Sequence, residues 1–102
     1  MRLLVLFDLP VETSKERKEY RLFRKSLIKD GYLMLQESVY VKLVINDAAA
    51  NSAIMRLRRN RPEKGLVQAM KVTEKQFSTM ICITGERAAS EEVDTTEEFI
   101  VL

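Results

Sequence analysis

A run of five apolar residues near the start of the chain, Leu3 to Phe7, constrains the fold more than any other feature of the sequence. A continuous apolar run of this length, rather than an alternating one, is typical of a strand that is buried on both faces. Asp8-Leu9-Pro10 ends the run. Thr13 and Glu16 follow at the spacing of a capping box, in which each side chain bonds a backbone amide at a helix start. The sequence therefore predicts a central strand followed by a helix.

The predicted helix continues to about Asp30, and Gly31 stands where a left-handed residue commonly follows a helix end. One stripe of this helix carries Tyr20, Phe23 and Leu27, which we expect to pack on the sheet as core residues. A neighbouring face is basic. It comprises Arg17, Lys18, Arg21, Arg24 and Lys25.

The remaining pattern predicts four more strands and a second helix. The strands are expected at 32–36, 38–45, 66–72 and 78–84, and the helix runs from Asn46-Asp47 for about 14 residues. The order indicates an α+β fold of the ferredoxin-like βαββαβ form over residues 1–85, an antiparallel sheet with both helices on one face. Residues 86–102 are predicted to be an acidic linker and an extra C-terminal strand, used for dimer or partner contact.

One face of such a sheet has no helix over it in a single chain. A chain of 102 residues would leave a large apolar surface exposed there unless another molecule covered it. We therefore expect a homodimer.

Composition excludes several kinds of site. The chain has no His and one Cys, so it cannot form a Ser-His-Asp triad, an internal disulfide or a thiolate zinc site. Cys82 lies in a predicted strand, where a buried, inert thiol is expected. The single Cys and the lack of a signal-peptide or membrane-span pattern favour a cytoplasmic protein.

Charge is divided unevenly along the chain, although the formal net charge is only +2. Residues 1–61 hold 13 basic and 7 acidic side chains, a net of +6, whereas residues 62–102 hold 4 basic and 8 acidic ones, a net of −4. A basic body with an acidic tail favours binding of a polyanion. Solvated helix surfaces and an acidic tail without a partner are the alternative interpretation.

Asp8 is the candidate catalytic residue and metal ligand, because it ends an otherwise apolar strand. Mg²⁺ (or Mn²⁺) commonly takes one or two carboxylates and keeps water at its other positions. If two sheets packed about a twofold axis, Asp8 would meet Asp8 of its dimer partner. Metal-assisted phosphodiester hydrolysis would then need no histidine. The alternative is that Asp8 belongs to a simple turn.

Arginine-rich surfaces are the candidate nucleic-acid interface, because the guanidinium fork pairs well with phosphate oxygens. The first is the basic face of the first helix. The second is a cluster at the end of the second helix, where cations are also favoured by the helix dipole alone. It comprises Arg56, Arg58, Arg59 and Arg61.

Several short motifs together resemble one known family. They are Leu4-Val5-Leu6-Phe7-Asp8-Leu9-Pro10, the Arg-rich helix, Gly31-Tyr32 and Gln36-Glu37-Ser38-Val39-Tyr40. In order and spacing the chain resembles the smaller adaptation protein of CRISPR systems, a family of CRISPR-associated endoribonucleases, in the version found beside type II systems. The family often has Tyr before the aspartate, where this chain has Phe7.

The resemblance implies a homodimer that bridges dimers of the larger CRISPR integrase, binds duplex DNA and takes part in spacer acquisition. It also implies Mg²⁺-dependent endonuclease activity on RNA or DNA, with Asp8 binding the metal jointly with the partner chain. Two alternatives stay open at this point. One is a DNA-binding scaffold without catalysis, and the other is a toxin-like ribonuclease of the same fold.

Overall fold

The computed structural model describes residues 1–85, which form seven elements in the order β1-α1-β2-β3-α2-β4-α3. Their bounds are β1 Arg2–Asp8, α1 Ser14–Lys29, β2 Leu33–Gln36, β3 Val39–Leu43, α2 Asp47–Arg59, β4 Leu66–Val72 and α3 Glu74–Ser78. The first six reproduce the predicted βαββαβ order, so the α+β fold class is confirmed.

The four strands form one antiparallel sheet in the order β2-β3-β1-β4. β1 is central, with Leu4 opposite Val41 of β3 on one side and Met70 of β4 on the other. This arrangement follows from the sequence, because the most apolar strand takes the position with neighbours on both edges.

Local signals fix the ends of the helices as predicted. The Thr13 hydroxyl accepts a hydrogen bond from the Glu16 backbone N–H at 3.1 Å, and the Glu16 carboxylate accepts one from the Thr13 N–H at 3.0 Å. That bond from the Thr13 N–H holds the pKa of Glu16 below its ordinary value. Asn46 caps α2 by accepting a bond from the Ala49 N–H at 2.8 Å. After α1, Gly31 adopts a φ of +93°.

The main core lies between the sheet and the two long helices. Alternate β1 side chains, Leu3, Val5 and Phe7, are buried there against Phe23 and Leu27 of α1. The predicted apolar stripe of α1 therefore packs on the sheet, and the aromatic residues assigned to the core lie there. They are the half-buried Tyr20 and the buried Phe23, and Tyr40 of β3 is buried beside them.

α3 lies on the opposite face of the sheet, which we call the open face because α1 and α2 leave it uncovered. Phe77 of α3 is buried there against Leu4 and Val41. The prediction of a strand at 78–84 is wrong: α3 ends at Ser78, and residues 79–85 form no strand. The reason is local, because Thr73 and Gln76 make a second capping box and so start a helix directly after β4.

The prediction of a buried thiol is also wrong, because Cys82 is exposed. It follows α3 rather than lying inside a strand, so the sheet does not cover it. In the described part of the chain, no helix is long and apolar enough to cross a membrane. The predicted acidic linker and C-terminal strand at 86–102 lie outside the described residues.

Candidate functional site

Asp8 is the last residue of β1, and its side chain is exposed. Strand alternation places it on the open face with Leu4 and Leu6, and β4 places Leu66 directly opposite. No hydrogen bond or ion pair found within residues 1–85 uses its carboxylate. Asp8 is therefore a free carboxylate at the end of a rigid central strand.

An apolar surface adjoins Asp8 on the open face. Leu6 is 37 % exposed, Leu66 54 % and Met70 53 %, although all three are large apolar residues. In the pairing of β1 with β4, Leu66 lies opposite Asp8 and Met70 lies opposite Leu4, so both are on the open face. An exposed apolar surface of this kind next to a free carboxylate is typical of a protein–protein contact rather than of solvent-facing sheet.

A loop between α2 and β4 forms one side of this end of the sheet. Polar contacts hold it to the first turns of α1. The Lys15 ammonium lies 3.4 Å from the Glu63 carboxylate, and the Glu63 N–H donates to the Glu19 carboxylate at 3.0 Å. Lys64 lies 3.9 Å from Glu16. A cavity of about 160 Å³ opens between the loop and α1, and Leu9 and Pro10 line it beside these charged residues.

The chemistry of Asp8 fits a hard divalent cation. Among residues 1–85, no three His, Cys, Asp or Glu side chains come together as a metal-binding group. One carboxylate is nevertheless an adequate protein ligand for Mg²⁺, which keeps several waters. Asp8 of one chain could therefore hold part of such a site, with water or a second copy supplying the other ligands.

The nine basic residues predicted to bind nucleic acid fall into two groups. Four of them are engaged within the chain: Arg17, Arg24, Arg56 and Arg61. Arg17 donates to the backbone carbonyl oxygens of Val11 and Glu12, and Arg56 contacts both carboxylate oxygens of Asp30 at 3.0 Å. Arg56 is also only half-exposed. Arg17 and Arg56 therefore stabilise the fold locally.

Five of the nine make no hydrogen bond or ion pair with the described residues. They are Lys18, Arg21 and Lys25 on α1, and Arg58 and Arg59 at the end of α2. All five are exposed. Their charges are therefore available to a polyanion without breaking an internal contact.

The two basic clusters line two neighbouring depressions, which share Leu22. A groove of about 730 Å³ runs between the helices, lined by Leu22 and Ser26 of α1 and by Arg58, Arg59 and Arg61 at the end of α2 and just after it. The acidic Glu19 and Glu63 also line it. Lys18, Arg21 and Lys25 adjoin its α1 side, where they line a shallower depression together with Arg24. The sequence predicted two basic surfaces, and the fold places them side by side.

Sequence reasoning missed two residues that organise the site. Tyr40 lies in the strand predicted at 38–45 and was given no role in a site, yet its hydroxyl accepts a hydrogen bond from Arg24 at 2.9 Å. Gly65 lies just before the strand predicted at 66–72 and was given no role, yet it has a φ of +96° and lies against the end of β1. The signal for Gly65 was its type, since only glycine readily adopts positive φ. No sequence pattern pointed to the Tyr40 contact.

A family model and two named relatives agree with the family that the sequence motifs resemble. The family model described as CRISPR associated protein Cas2 matches residues 1–80. A protein from Streptococcus mutans named CRISPR-associated endoribonuclease Cas2 is 49 % identical over 90 residues, covering 88 % of this chain and 83 % of its own length. A protein of the same name from Ligilactobacillus salivarius is 46 % identical over the whole length of both chains.

A solved structure agrees at the level of the fold. The crystal structure of Streptococcus pyogenes Cas2 at pH 6.5 superposes with a TM-score of 0.64 at 21 % sequence identity, covering 82 % of this chain and all of that one. This chain belongs to the CRISPR-associated Cas2 family.

Proposed function

We propose that this protein is a homodimeric subunit of CRISPR spacer acquisition that binds nucleic acid on its helical face and hydrolyses phosphodiester bonds at a metal site built on Asp8. The relatives from Streptococcus mutans and Ligilactobacillus salivarius carry the name endoribonuclease. The observation that carries the proposal is the free Asp8 carboxylate on the open face, beside exposed Leu6 and Leu66.

Dimerisation through the open face would complete the site. A second copy seated on Leu6, Leu66 and Met70 would remove this apolar surface from water and bring a second Asp8 to the same seam. Two converging carboxylates with no basic partner repel each other, and a divalent cation between them would relieve that repulsion.

The residues of the chain have separate roles in this proposal. Asp8 and Asp8 of the second copy would hold Mg²⁺ or Mn²⁺. The bound ion would polarise a phosphoryl oxygen and lower the pKa of a water nucleophile. Lys18, Arg21 and Lys25 would contact phosphates of a nucleic acid bound on the helical face, without reading its sequence.

The test is a comparison of Asp8→Asn with Glu12→Gln, which removes an exposed carboxylate charge in the neighbouring loop. Cleavage of labelled RNA and of duplex DNA is followed in Mg²⁺, in Mn²⁺ and with chelator. We expect Asp8→Asn to lose at least about a hundredfold in rate, the effect of losing a metal ligand. Glu12→Gln should cleave like the unmodified protein. Equal cleavage by the Asp8→Asn variant would contradict the nuclease proposal.

A second candidate function is a nucleic-acid scaffold without catalysis, which bridges the larger CRISPR integrase. The five unengaged cations around the interhelical groove favour it, because they would serve binding whether or not Asp8 acts. Stable binding of duplex DNA together with co-elution of the integrase, and no cleavage by any variant, would favour the scaffold. Cleavage without any affinity for the integrase would instead favour a toxin-like ribonuclease.

A further inference from the structure

Arg24 differs from the other cations of α1 because a buried hydroxyl holds it. Its Nε donates to the Tyr40 Oη at 2.9 Å. Tyr40 lies in β3 and is fully buried, and its ring stacks on Phe7 of β1 with 5.7 Å between the ring centroids. The acceptor therefore belongs to the rigid core, whereas the Arg24 side chain reaches it from an exposed position on α1.

This contact leaves most of the guanidinium free. Arginine has five N–H donors, and the bond to Tyr40 uses the one on Nε. Within residues 1–85 it is the only hydrogen bond that Arg24 makes, so both Nη groups keep their donors for a ligand. Arg56 contrasts with it in the charge of its partner, because its Nε donates to the carboxylate of Asp30, which offsets the positive charge of the guanidinium.

The surroundings of Arg24 suit an anion. The hydrogen bond to Tyr40 is the main cause that raises the pKa of Arg24 above its ordinary value, with smaller electrostatic contributions from Tyr40 itself, Tyr20 and Glu37. Lys18, Arg21 and Lys25 line the same depression as Arg24. Among the described residues, Glu37 in the β2–β3 turn is the carboxylate that contributes to this pKa shift, and its contribution is the smallest.

We propose that Tyr40 is a positioning residue for nucleic-acid binding: its hydroxyl holds Arg24 so that the Nη groups meet a phosphate of the bound strand. This inference rests on the proposed binding of nucleic acid at α1. Ordering a long side chain on binding costs affinity, and a guanidinium that is already held avoids part of that cost.

The first test measures the affinity of the full chain for fluorescently labelled duplex DNA over a range of KCl concentrations. Tyr40→Phe removes the acceptor oxygen and keeps the ring. We expect affinity to fall about two- to tenfold, the cost of ordering one more long side chain on binding. The slope of log K against log [KCl] should stay the same, because Arg24 still neutralises its phosphate. Arg24→Gln should reduce the magnitude of that slope by about 0.9, the value for one lost phosphate contact.

A double-mutant cycle separates positioning from a general effect on the fold. In the Arg24→Gln background, Tyr40→Phe should have no further effect on affinity. Arg24→Lys keeps the charge but lacks an Nε donor, so it should lose affinity and should also be insensitive to Tyr40→Phe. Tyr32→Phe is the matched control, because it removes a buried hydroxyl that does not contact Arg24, and it should bind like the unmodified chain.

Two results overturn the inference. One is a loss from Tyr40→Phe that persists in full in the Arg24→Gln background, which would mean that Tyr40 acts through the fold. The other is an Arg24→Gln variant with unchanged affinity and slope while Arg21→Gln weakens binding, which would place the phosphate elsewhere on α1. In both cases the proposed function stands. If the unmodified chain does not bind, or binds independently of salt, the proposed nucleic-acid function fails with the inference.

Discussion

Gly65 lies so close to Asp8 that a Cβ atom added to Gly65 would stand 2.7 Å from the Asp8 carbonyl oxygen. It would also stand 2.7 Å from Leu9 Cδ2. The start of β4 is therefore packed directly against the backbone that carries the candidate catalytic carboxylate. This contact depends on glycine twice, through the missing side chain and through the φ of +96°.

We predict that Gly65→Ala destabilises the protein by about 2 kcal/mol or more and displaces Asp8. The positive φ alone costs a residue with a Cβ about 1–2 kcal/mol, and the backbone of Asp8 must also move. Gly85→Ala is the matched control, since Gly85 has a φ of +95° but, among residues 1–85, no atom lies within 4 Å of the added Cβ. Urea unfolding measures both. Equal losses of stability in the two variants would mean that the contact with Asp8 is unimportant.

Arg21→Ala and Arg56→Ala should affect different properties, although both remove one arginine from a predicted binding surface. The first should weaken DNA binding, and the second should lower stability. Arg21 makes no contact with the described residues, so its loss should weaken DNA binding, lower the salt slope by about 0.9 and leave stability unchanged. Arg56→Ala leaves Asp30 without its partner and should cost up to about 1 kcal/mol, with little effect on the slope. Salt-dependent anisotropy and thermal unfolding of both variants check this. If Arg56→Ala also reduced the magnitude of the salt slope of DNA binding, Arg56 would have to be counted as a phosphate contact.

The sequence was sufficient for the sheet because its signals are local and strong. The apolar run before Asp8 favoured a central strand, and the capping residues Thr13 and Asn46 fixed where the helices begin. The segment after β4 was harder, since Ser78–Thr84 is rich in β-forming residues. The capping box at Thr73 started a short helix just before that segment, with Phe77 buried on the open face, and residues 79–85 formed no strand despite their β propensity.

The candidate site was only partly predictable. Asp8 stood out because a charged residue ends an apolar strand, and its exposure follows from strand alternation. Which arginines are free could not be read from the sequence, because that depends on contacts between distant residues, such as Arg24 with Tyr40 and Arg56 with Asp30. Helical periodicity places a residue on a face, but it does not show what the side chain meets there.

Tyr32 should be replaceable with a gain in stability. Its hydroxyl is buried without a hydrogen-bond partner among the described residues, and burial raises the pKa of the phenol from 10.0 to about 12. An unpaired buried donor costs at least about 1 kcal/mol, so Tyr32→Phe should stabilise the protein by about that amount at neutral pH.

The same pKa shift predicts a difference between Tyr32→Phe and the unmodified protein in alkali. Below pH 10 the Tyr32 hydroxyl is neutral in both states, whereas between pH 10 and 12 only the unfolded chain loses the proton. Stability that depends on Tyr32 is therefore lost as the pH rises through this window. Urea unfolding of both proteins should show their difference in stability growing between pH 10 and 12. A constant difference would mean that the Tyr32 hydroxyl is solvated in the folded state.

Met70 and Met55 offer a direct test of the proposed dimer. They are the same residue type, and they are 53 % and 56 % exposed. Met70 lies on the open face opposite Leu4, whereas Met55 lies on α2. If the open face joins two copies, Met70→Glu would bury a charge at the seam and should weaken the dimer by about 2 kcal/mol or more. Met55→Glu should have no effect.

Sedimentation velocity over a range of protein concentrations measures the dissociation constant of each variant. The Met70→Glu chain should sediment as a folded monomer at concentrations where the Met55→Glu chain is a dimer. Because the proposed metal site needs an Asp8 from each copy, phosphodiester cleavage by Met70→Glu should fall in proportion to the dimer that is lost. A Met70→Glu variant that cleaves at full rate as a monomer would show that one Asp8 is enough, and the shared site would have to be replaced by a site within one chain.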